Sequence, residues 1–299
     1  MYLSRIQLKP DIIHNSQLGR LMQSSPYHTH QLLWDLFDHD QRDFLFREEL
    51  AKEQLAEDAG IRGAPIYYML SAQPPKADAA LFEVQSKAYQ PSFHSGQRLA
   101  FRLRANATVT RDKKRHNLVL DAELALCHQL LDALHIEKPT GKKRNLYQRL
   151  EQARKSGRQG DIEDWLYSYL ADTRYAGKTL QGHNIHQMMD LPIQHAVTQR
   201  LIDWMTQNHT RKGIFSLCQY QLENEQTDEV RSEPFFQWGH YSEQALPEKG
   251  PTARLYSVDM SGELIVHEPE RFGKMIIDGI GPGKAFGCGL MMMKPVNSY

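Results

Sequence analysis

The amino-acid sequence predicts an α+β protein made of two successive βαββαβ-type units. Each half of the 299-residue chain shows a strand, then a helix, then further strands, which is the element order of that unit. Segments 98–109 and 258–266 alternate apolar and polar residues, as half-buried strands do. A turn-like segment at 91–97 separates the halves, so we place one domain at 1–94 and the other at 95–299.

The first half is expected to contain one helix and several strands. Residues 1–8 have strand character. Ser25 is a good N-cap and Pro26 suits the first helical position, so a helix should run from there to about residue 37. Further strands are expected at 42–49, 66–73 and 82–89.

The second half adds a helical insertion to the same plan. From about 137 to 196 the sequence becomes polar and places its apolar residues at helical spacing. Strand character returns at 214–220 and again at 258–266. A short helix from about 269 to 277 then leads into a glycine-rich segment at 279–289.

The composition excludes several classes of protein. It is 40% hydrophobic and 24% charged, as soluble globular proteins are. No apolar run approaches the roughly 18 residues of a membrane span, and the opening residues show no secretory signal. Cys127, Cys218 and Cys288 lie far apart without a CxxC pair, which fits a reducing cytoplasm and argues against a structural zinc site. We therefore expect a cytoplasmic protein with no membrane contact, no metal site and no cofactor.

Basic residues are segregated along the chain although the net charge is +0. One cluster lies at 98–115, a second at 138–158, and compensating acids lie at 223–233. Such a chain can present a positive face to a polyanion, although basic runs also occur on ordinary solvated surfaces. Arg102 and Arg104 should face outward from their strand, and the planar guanidinium fork suits phosphate oxygens. The phosphate-binding candidates of the first cluster are Arg102, Arg104, Arg111, Lys113, Lys114 and Arg115. The second cluster lies in the insertion and should extend the positive surface.

Five glycines occupy the segment 279–289. They are Gly279, Gly281, Gly283, Gly287 and Gly289. Glycine lets a backbone approach a ligand closely and exposes N–H groups to anions. The spacing does not match a phosphate-binding Walker loop, because Asp278 and Ala285 stand where that loop needs Gly and Ser or Thr. It does not match a dinucleotide-binding fingerprint either. A turn between a helix and the last strand is the other interpretation. The candidate anion contacts are Gly281, Gly283, Lys284 and Gly287.

The stretch SSPYHTHQLLWDLF, residues 24–37, places polar rings at the start of the first helix. Tyr27 and His30 are three residues apart and share a helix face, whereas His28 points elsewhere. A helix N-terminus attracts phosphate and disfavours protonated imidazole. A neutral histidine there could accept a proton. The alternative is that His30 is an ordinary surface or capping residue.

Taken together, these motifs resemble the CRISPR repeat-processing endoribonuclease of type I-E Cascade, the CasE family. The resemblance is carried by Tyr27-x-x-His30-x-x-Leu33-Trp34-x-Leu36-Phe37, RDFLFR, YYMLSAQPP, FRLRANATVT with KKRHNLVLDAE, and GIGPGKAFGCGL. It covers roughly residues 1–126 and 200–295. The stretch 137–196 is longer than the family leads us to expect.

The resemblance implies two tandem ferredoxin-like (RRM-like) domains and metal-independent cleavage of a repeat RNA at the base of a stem-loop. It implies that the protein stays bound to the product, so its expected partners are precursor and mature CRISPR RNA and other Cascade subunits. By motif match, His30 corresponds to the family's catalytic histidine and Tyr27 to its active-site tyrosine. The RNA 2′-OH would attack the adjacent phosphate and leave a 2′,3′-cyclic phosphate and a 5′-OH.

Two other classes stay open at this point. One is a non-catalytic RNA-binding subunit of the same fold that uses the same basic face. The other is a metal-dependent phosphohydrolase, which the dipeptide at His39 and Asp40 suggests. A second histidine cluster with convincing spacing is missing for the latter, and His183 and His186 are not part of an HExxH motif.

Overall fold

The computed structural model describes residues 1–9, 26–38, 43–49, 65–140, 143–180, 182, 184–223, 230–246, 249–251 and 253–296. Its contacts divide the chain into two compact units. The first, here called the sheet unit, comprises Met1–Ala107, Gly213–Cys218 and Gln237–Tyr299. The second, the helical unit, comprises Thr108–Lys212 and Gln219–Phe236. The domain boundary near residue 94 stays a prediction.

The elements follow in chain order. The strands are β1 (Tyr2–Leu8), β2 (Phe44–Glu49), β3 (Ile66–Ser71), β4 (Phe82–Ala88), β5 (Arg98–Ala105), β6 (Thr108–Arg111), β7 (Lys114–Asn117), β8 (Phe215–Leu217), β9 (Gln219–Glu223), β10 (Val230–Pro234), β11 (Phe236–Ala245), β12 (Arg254–Val266) and β13 (Met291–Pro295). The helices are α1 (Pro26–Trp34), α2 (Leu118–Ala133), α3 (Lys143–Ala153), α4 (Gln159–Leu170), α5 (Ile185–Met188), α6 (Asp190–Thr206) and α7 (Pro269–Asp278).

Two antiparallel sheets with one topology form the sheet unit. The first has the strand order β2-β3-β1-β4. The second has the order β11-β12-β5-β13, with β8 pairing to β12. In both, the first strand in the chain lies between the third and the fourth, which is the ferredoxin-like arrangement. The prediction of two ferredoxin-like folds is therefore confirmed.

The core of the first sheet forms against α1. Ile6, Phe44, Phe46 and Tyr67 point to one side because side chains alternate along a strand, and Leu33 of α1 packs on them. Each of these residues is buried, and Leu33 is 0% exposed. Burial of such side chains is the main force that holds α1 on the sheet, at about 25 cal/mol per Å² of apolar area.

Most of the helical unit, Thr108–Lys212, is inserted between β5 and β8 of the second fold, and the rest, Gln219–Phe236, follows β8. The unit opens with the β6–β7 hairpin, whose turn residues Asp112 and Lys113 both have positive φ (49° and 62°). Asn117 then caps α2, because its side chain accepts hydrogen bonds from the N–H groups of Val119 and Leu120. Apolar faces of α2, α3, α4 and α5 share one core, which includes Leu130.

The helices extend beyond the 137–196 that the sequence predicts. They begin at Leu118 and end at Thr206, and a break at Ser156 and Gly157 separates α3 from α4. Gly157 has φ 95°, which lies outside the helical region. In the described part of the chain, no helix combines the length and hydrophobicity needed to cross a bilayer.

Two predicted strands are each divided in the structure. The segment 98–109 forms β5 and β6, because β5 pairs with β12 and β13 whereas β6 pairs with β7. The segment 214–220 forms β8 and β9, because the first pairs with β12 and the second with β10. In both cases the chain changes partner at the break. The other predicted elements agree with the structure to within a few residues where they are described.

Candidate functional site

His30 lies on α1 in a pocket of aromatic rings. Its imidazole stacks on Phe44, with centroids 5.4 Å apart and planes 25° from parallel. Trp34 meets it edge-on at 5.3 Å, and Phe46 lies 6.2 Å away. His30 is only 5% exposed. The ring is therefore held in one orientation, and the site is more enclosed than the sequence suggested.

The start of α1 changes the electrostatic argument for His30. The helix begins at Pro26, so His30 lies beyond the first turn, where the unsatisfied N–H groups are. The helix dipole acts mainly within that turn. Its influence on His30 is accordingly weaker than the sequence predicts. Tyr27 belongs to the same helix, but its side chain and the proposed cap Ser25 fall outside the described residues.

The glycine-rich segment packs closely on β2. All five of its glycines have positive φ, between 75° and 94°. A Cβ on Gly287 would lie 3.3 Å from Cε2 of Phe46, and one on Gly279 would lie 2.8 Å from Cδ1 of Leu45. Backbone conformation and close packing therefore account for these glycines without a ligand. The interpretation as a turn before the last strand agrees with this geometry.

The structure nevertheless brings the glycine-rich segment to the helix of His30. The short 3₁₀ helix Lys284–Phe286 within that segment contacts α1. Phe46 connects the two, because its ring faces His30 on one side and Gly287 on the other. Lys284 donates a hydrogen bond from Nζ to the carbonyl of Asp278 at the end of α7. His30, Gly287 and Lys284 thus belong to one region of the sheet unit.

Arg104 is already engaged by protein groups. Its Nε and Nη2 donate to the two carboxylate oxygens of Asp259 at 2.9 and 2.8 Å, and Nη1 donates to the carbonyl of Glu48 at 3.1 Å. Its own carbonyl accepts a 2.8 Å hydrogen bond from the N–H of Gly289. Arg104 therefore ties β5 to β2, β12 and the glycine-rich segment. A phosphate contact would require it to release this ion pair.

Arg102 is more accessible than Arg104. Its side chain is 54% exposed, and its nearest described acid, Glu49, lies 3.9 Å away. Both arginines point to the face that the alternation of β5 predicts. Of these two, Arg102 is the one whose guanidinium is exposed to solvent.

The β6–β7 hairpin carries the remaining cations of the first cluster. Arg111, Lys113, Lys114 and Arg115 are exposed. Arg111 lies 3.5 Å from Asp121, and the other three form no ion pair with any residue that the structure describes. The turn thus presents an uncompensated positive charge on the helical unit.

The basic run of the insertion is mostly compensated. The sequence predicts a positive surface because acids are scarce within that run, but Glu151 lies within it and further acids lie on either side of it. Lys143 binds Glu123 of α2 at 2.6 Å, and Lys138 binds Asp132 at 2.6 Å. Further pairs join Arg154 to Glu151 at 2.7 Å and Arg158 to Asp161 at 2.9 Å. These four cations are therefore neutralised, whereas the exposed Arg144 and Arg149 form no ion pair with any described residue and keep part of the expected positive surface.

A buried arginine went unnoticed in the sequence. Arg47 is 4% exposed and lies 3.7 Å from Asp259 and 3.8 Å from Glu49. Its position in the apolar strand sequence FLFREE was the available signal, since a buried cation needs an acidic partner. Arg47 and Arg104 share Asp259, so these charges join β2, β5 and β12.

The cysteines have the properties of structural residues. Burial raises the pKa of Cys288 to about 12, and burial likewise raises the pKa of Cys127 to about 11. Both thiols therefore stay protonated near neutral pH and are poor nucleophiles. Within the described residues, no group of three or more His, Cys, Asp or Glu side chains is arranged to hold a metal ion.

Comparisons with known proteins identify relatives of this fold. A family model described as "CRISPR associated protein" matches residues 1–295. No curated protein sequence matches the chain. The structure of CRISPR endoribonuclease Cse3 bound to 19 nt RNA is 20% identical, with a TM-score of 0.50 over 99% of this chain and 100% of the other. Thermus thermophilus Cse3 bound to an RNA representing a pre-cleavage complex is 19% identical, with a TM-score of 0.51 over 98% of both chains. At such identities these two matches establish a common fold.

Proposed function

The chain belongs to the CRISPR-associated protein family, whose model matches residues 1–295, and we propose that it is an endoribonuclease that binds and cleaves a CRISPR repeat RNA. The two solved structures with its fold are described as endoribonuclease Cse3 bound to RNA. The observation that carries the proposal is that the glycine-rich segment lies against the helix of His30. These two motifs are far apart in sequence but adjacent in the sheet unit.

The proposed chemistry uses the RNA itself as nucleophile. The 2′-OH attacks the adjacent phosphate in line, and His30 accepts the proton as the 2′-oxygen bonds to phosphorus. The bond to the 5′-oxygen of the next nucleotide breaks, and that oxygen takes a proton from water, which leaves a 2′,3′-cyclic phosphate and a 5′-OH. In this mechanism Tyr27 orients the phosphate from the same helix. No metal ion takes part in the proposed step.

The aromatic pocket suits His30 to this role. Contacts with Phe44 and Trp34 fix the imidazole, so little orientational freedom is lost when substrate binds. At 5% exposure, the substrate would reach only an edge of the ring. Backbone N–H groups of Gly281 and Gly283, with the ammonium of Lys284, are the proposed donors to the phosphate oxygens.

Binding of the RNA stem is assigned to exposed cations. Arg102 and the hairpin residues Arg111, Lys113, Lys114 and Arg115 would contact the phosphates. A-form RNA hides its base edges in a deep, narrow major groove, so the contacts should read backbone shape. Arg104 would act mainly by holding β5 against β2 and β12. Retention of the cleaved RNA and assembly with other Cascade subunits complete the proposal.

Cleavage of one labelled repeat RNA tests the proposal against its alternatives. We expect purified protein to cut the RNA once, in buffer that contains excess chelator, and mass spectrometry to detect a cyclic phosphate on the upstream product. Tight binding without cleavage would favour the non-catalytic RNA-binding subunit. Cleavage that stops on chelation and returns with a divalent metal would favour the metal-dependent phosphohydrolase.

A further inference from the structure

The first sheet has a second face, on the side opposite α1, that carries an unusual set of side chains. Ser4 and Ile6 of β1 are buried, and Ile6 belongs to the core under α1. Leu3 and Arg5 therefore point to the opposite face, because alternate residues of a strand face opposite ways. The pairing places Arg5 beside Tyr68 of β3 and Gln85 of β4. Lys87 lies beside Leu3 in the neighbouring row.

Part of this face is covered by the end of the chain. Leu45 and Leu70 are buried under Leu290, and Tyr68 and Met292 pack at the margin of that small core. Beyond Met292 the cover ends. A groove of about 310 Å³ remains there, lined by Leu3, Arg5, Tyr68, Gln85, Lys87 and Met292 among others. Its size is at the lower end of ordinary ligand pockets, which suits a single nucleotide rather than a duplex.

The groove is positively charged and lacks an acidic lining residue. Arg5 and Lys87 form no ion pair or side-chain hydrogen bond with any other residue in the described part of the chain. Arg5 is half-buried and Lys87 is exposed. Because no described acid engages it, the guanidinium of Arg5 is available to a ligand in the groove. Its planar fork fits the oxygens of one phosphate group.

Tyr68 supplies the aromatic surface that a nucleobase needs. It lies on a central strand of a four-stranded ferredoxin-like sheet, half-buried, with its neighbours Arg47 and Arg5 on the two adjoining strands. Proteins with RRM-like sheets stack unpaired bases on aromatic side chains of central strands. Such stacking tolerates any base, because every base has a π face. Gln85 adds an amide that can donate to and accept from a base edge.

We propose that this groove binds one nucleotide of a single-stranded RNA segment, with its base on Tyr68 and its phosphate on Arg5 and Lys87. The nature of the ligand rests on the proposed function, which supplies an RNA whose stem is flanked by unpaired nucleotides. A base-paired stem cannot present an unstacked base to Tyr68. The groove therefore binds the single-stranded flank, whereas Arg102 and the cations of the β6–β7 hairpin bind the stem.

Fluorescence anisotropy with two labelled RNAs tests the proposal. One RNA is the repeat stem-loop alone, and the other carries a single-stranded flank on both sides. Each has a 2′-deoxy substitution at the cleaved position, so binding is measured without reaction. The variants are Tyr68→Leu, Tyr68→Phe and Arg5→Gln, with Lys274→Gln as a matched control on an exposed lysine of α7 whose side chain is 78% exposed.

We expect the variants of the groove to weaken binding of the flanked RNA and not of the stem-loop alone. Tyr68→Leu and Arg5→Gln should each weaken binding of the flanked RNA by about tenfold, as loss of one stacked base or one arginine contact does. Tyr68→Phe keeps the ring and should bind like the unaltered protein. No variant should change affinity for the stem-loop alone, and Lys274→Gln should change neither. Thermal unfolding of each variant shows that the fold is retained, and Lys87→Gln replaces Arg5→Gln if that variant fails to fold.

Other outcomes overturn the proposal. If a variant lost affinity equally for both RNAs, its residue would act on binding of the stem. If no variant lost affinity for either RNA, the groove would not bind RNA. Normal RNA affinity combined with loss of assembly with other Cascade subunits would assign the groove to a protein partner. Failure of the proposed function is distinguishable, because an unaltered protein that never cleaves RNA can still show the flank-specific losses in these binding measurements.

Discussion

The contacts of His30 determine which substitutions can test its role. His30→Ala would remove a ring that Phe44 and Trp34 pack against, so a loss of activity could reflect a cavity. His30→Phe keeps an aromatic ring against Phe44 and Trp34 and removes both ring nitrogens, including the proposed proton acceptor. We expect both variants to slow single-turnover cleavage by roughly 10²–10⁴, the usual contribution of a general acid or base.

Measurements of RNA affinity and a variant of the neighbouring His28 provide the controls for the His30 variants. RNA affinity should change little in either variant. His28→Ala, on the same helix, should cleave at nearly the normal rate. If His30→Phe cleaved RNA at the normal rate, His30 would be a core residue and the proton acceptor would have to lie elsewhere.

Glu151 gives the helical unit a defined acid sensitivity. The hydrogen bonds from Arg154, and then one from the N–H of Ile185, hold the pKa of this carboxyl at about 2, below its ordinary value of 4.5. The folded protein therefore binds its proton less readily than the unfolded chain. The resulting stability is complete above the ordinary pKa and is lost as the pH falls toward about 2. Glu151→Gln cannot be protonated and should lose this dependence.

Thermal unfolding measured from about pH 6 to about pH 3 checks the prediction. The midpoint of the unaltered protein should fall more steeply than that of Glu151→Gln. Arg154→Gln should resemble Glu151→Gln, because it removes the main cause of the pKa shift. Parallel curves for all three proteins would contradict the prediction.

Single residues show where sequence reasoning stops. The outward position of Arg102 follows from local alternation and is correct. The engagement of Arg104 does not follow from it, because its partner Asp259 lies 155 positions away in the sequence. Arg47 escaped notice for the same reason. Long-range ion pairs depend on the complete sheet and leave only a weak local signal.

At the scale of elements, the β6–β7 hairpin is the clearest candidate for RNA binding. Its tip residues Lys113, Lys114 and Arg115 are exposed and have no ion-pair partner among the residues described. Replacing Lys114 and Arg115 by Gln should weaken RNA binding. The slope of log K against log salt should flatten by about 0.7–0.9 for each phosphate contact removed.

A matched pair of substitutions separates specific contacts from general charge. Arg271→Gln with Lys274→Gln removes the same net charge from α7, where both cations already have acidic neighbours. This variant should retain most of the salt dependence. Equal flattening in both double variants would mean that long-range charge, rather than contact by the hairpin, sets the slope.

The elements also show why the glycine-rich segment was hard to interpret from sequence. Its glycines are concentrated enough to suggest an anion site, and they do lie near His30. Positive φ and the contacts of Gly279 and Gly287 with β2 nevertheless explain their concentration. A positive φ and the close approach of a ligand both favour glycine. The number of glycines alone therefore does not distinguish a tight turn from an anion-binding site.

At the scale of the whole molecule, the insertion 137–196 is part of the larger helical unit, Thr108–Lys212 and Gln219–Phe236. Replacing 137–196 with a flexible linker would remove α3, α4 and α5 and cut α6 near its middle. Leu126, Leu130 and Leu131 of α2 would lose the partners that bury them. Each such leucine contributes about 2 kcal/mol, so we expect the rest of the helical unit to unfold.

Calorimetry and circular dichroism check this expectation. The deletion should remove helical signal beyond that of the deleted residues themselves, because α2 and the remnant of α6 also melt. A deletion variant with an unchanged unfolding midpoint would contradict this expectation and show that the insertion adds nothing to the stability of the helical unit.

The fold class was predictable because both halves repeat one pattern of elements, and patterns are local. The division into units was not, because it depends on which segments return to a sheet after a long excursion. Residues 108–212 separate β5 from β8, yet these strands join the same sheet. The alternation of apolar and polar residues within β5 or β8 does not show that the two strands belong to the same sheet.

The position of β5 in the second sheet has a consequence for synthesis of the chain. Its hydrogen-bonding neighbours are β12 and β13, which are synthesised long after it because they begin at Arg254 and Met291. Until then both edges of β5 are open, and unpaired edges invite pairing with other chains. The first sheet needs only the residues up to Ala88, whereas the second must wait until β12 and β13 have been synthesised. Stalling of the ribosome near residue 250 should therefore leave β5 unpaired in the nascent chain. Such a chain should aggregate unless a chaperone covers β5.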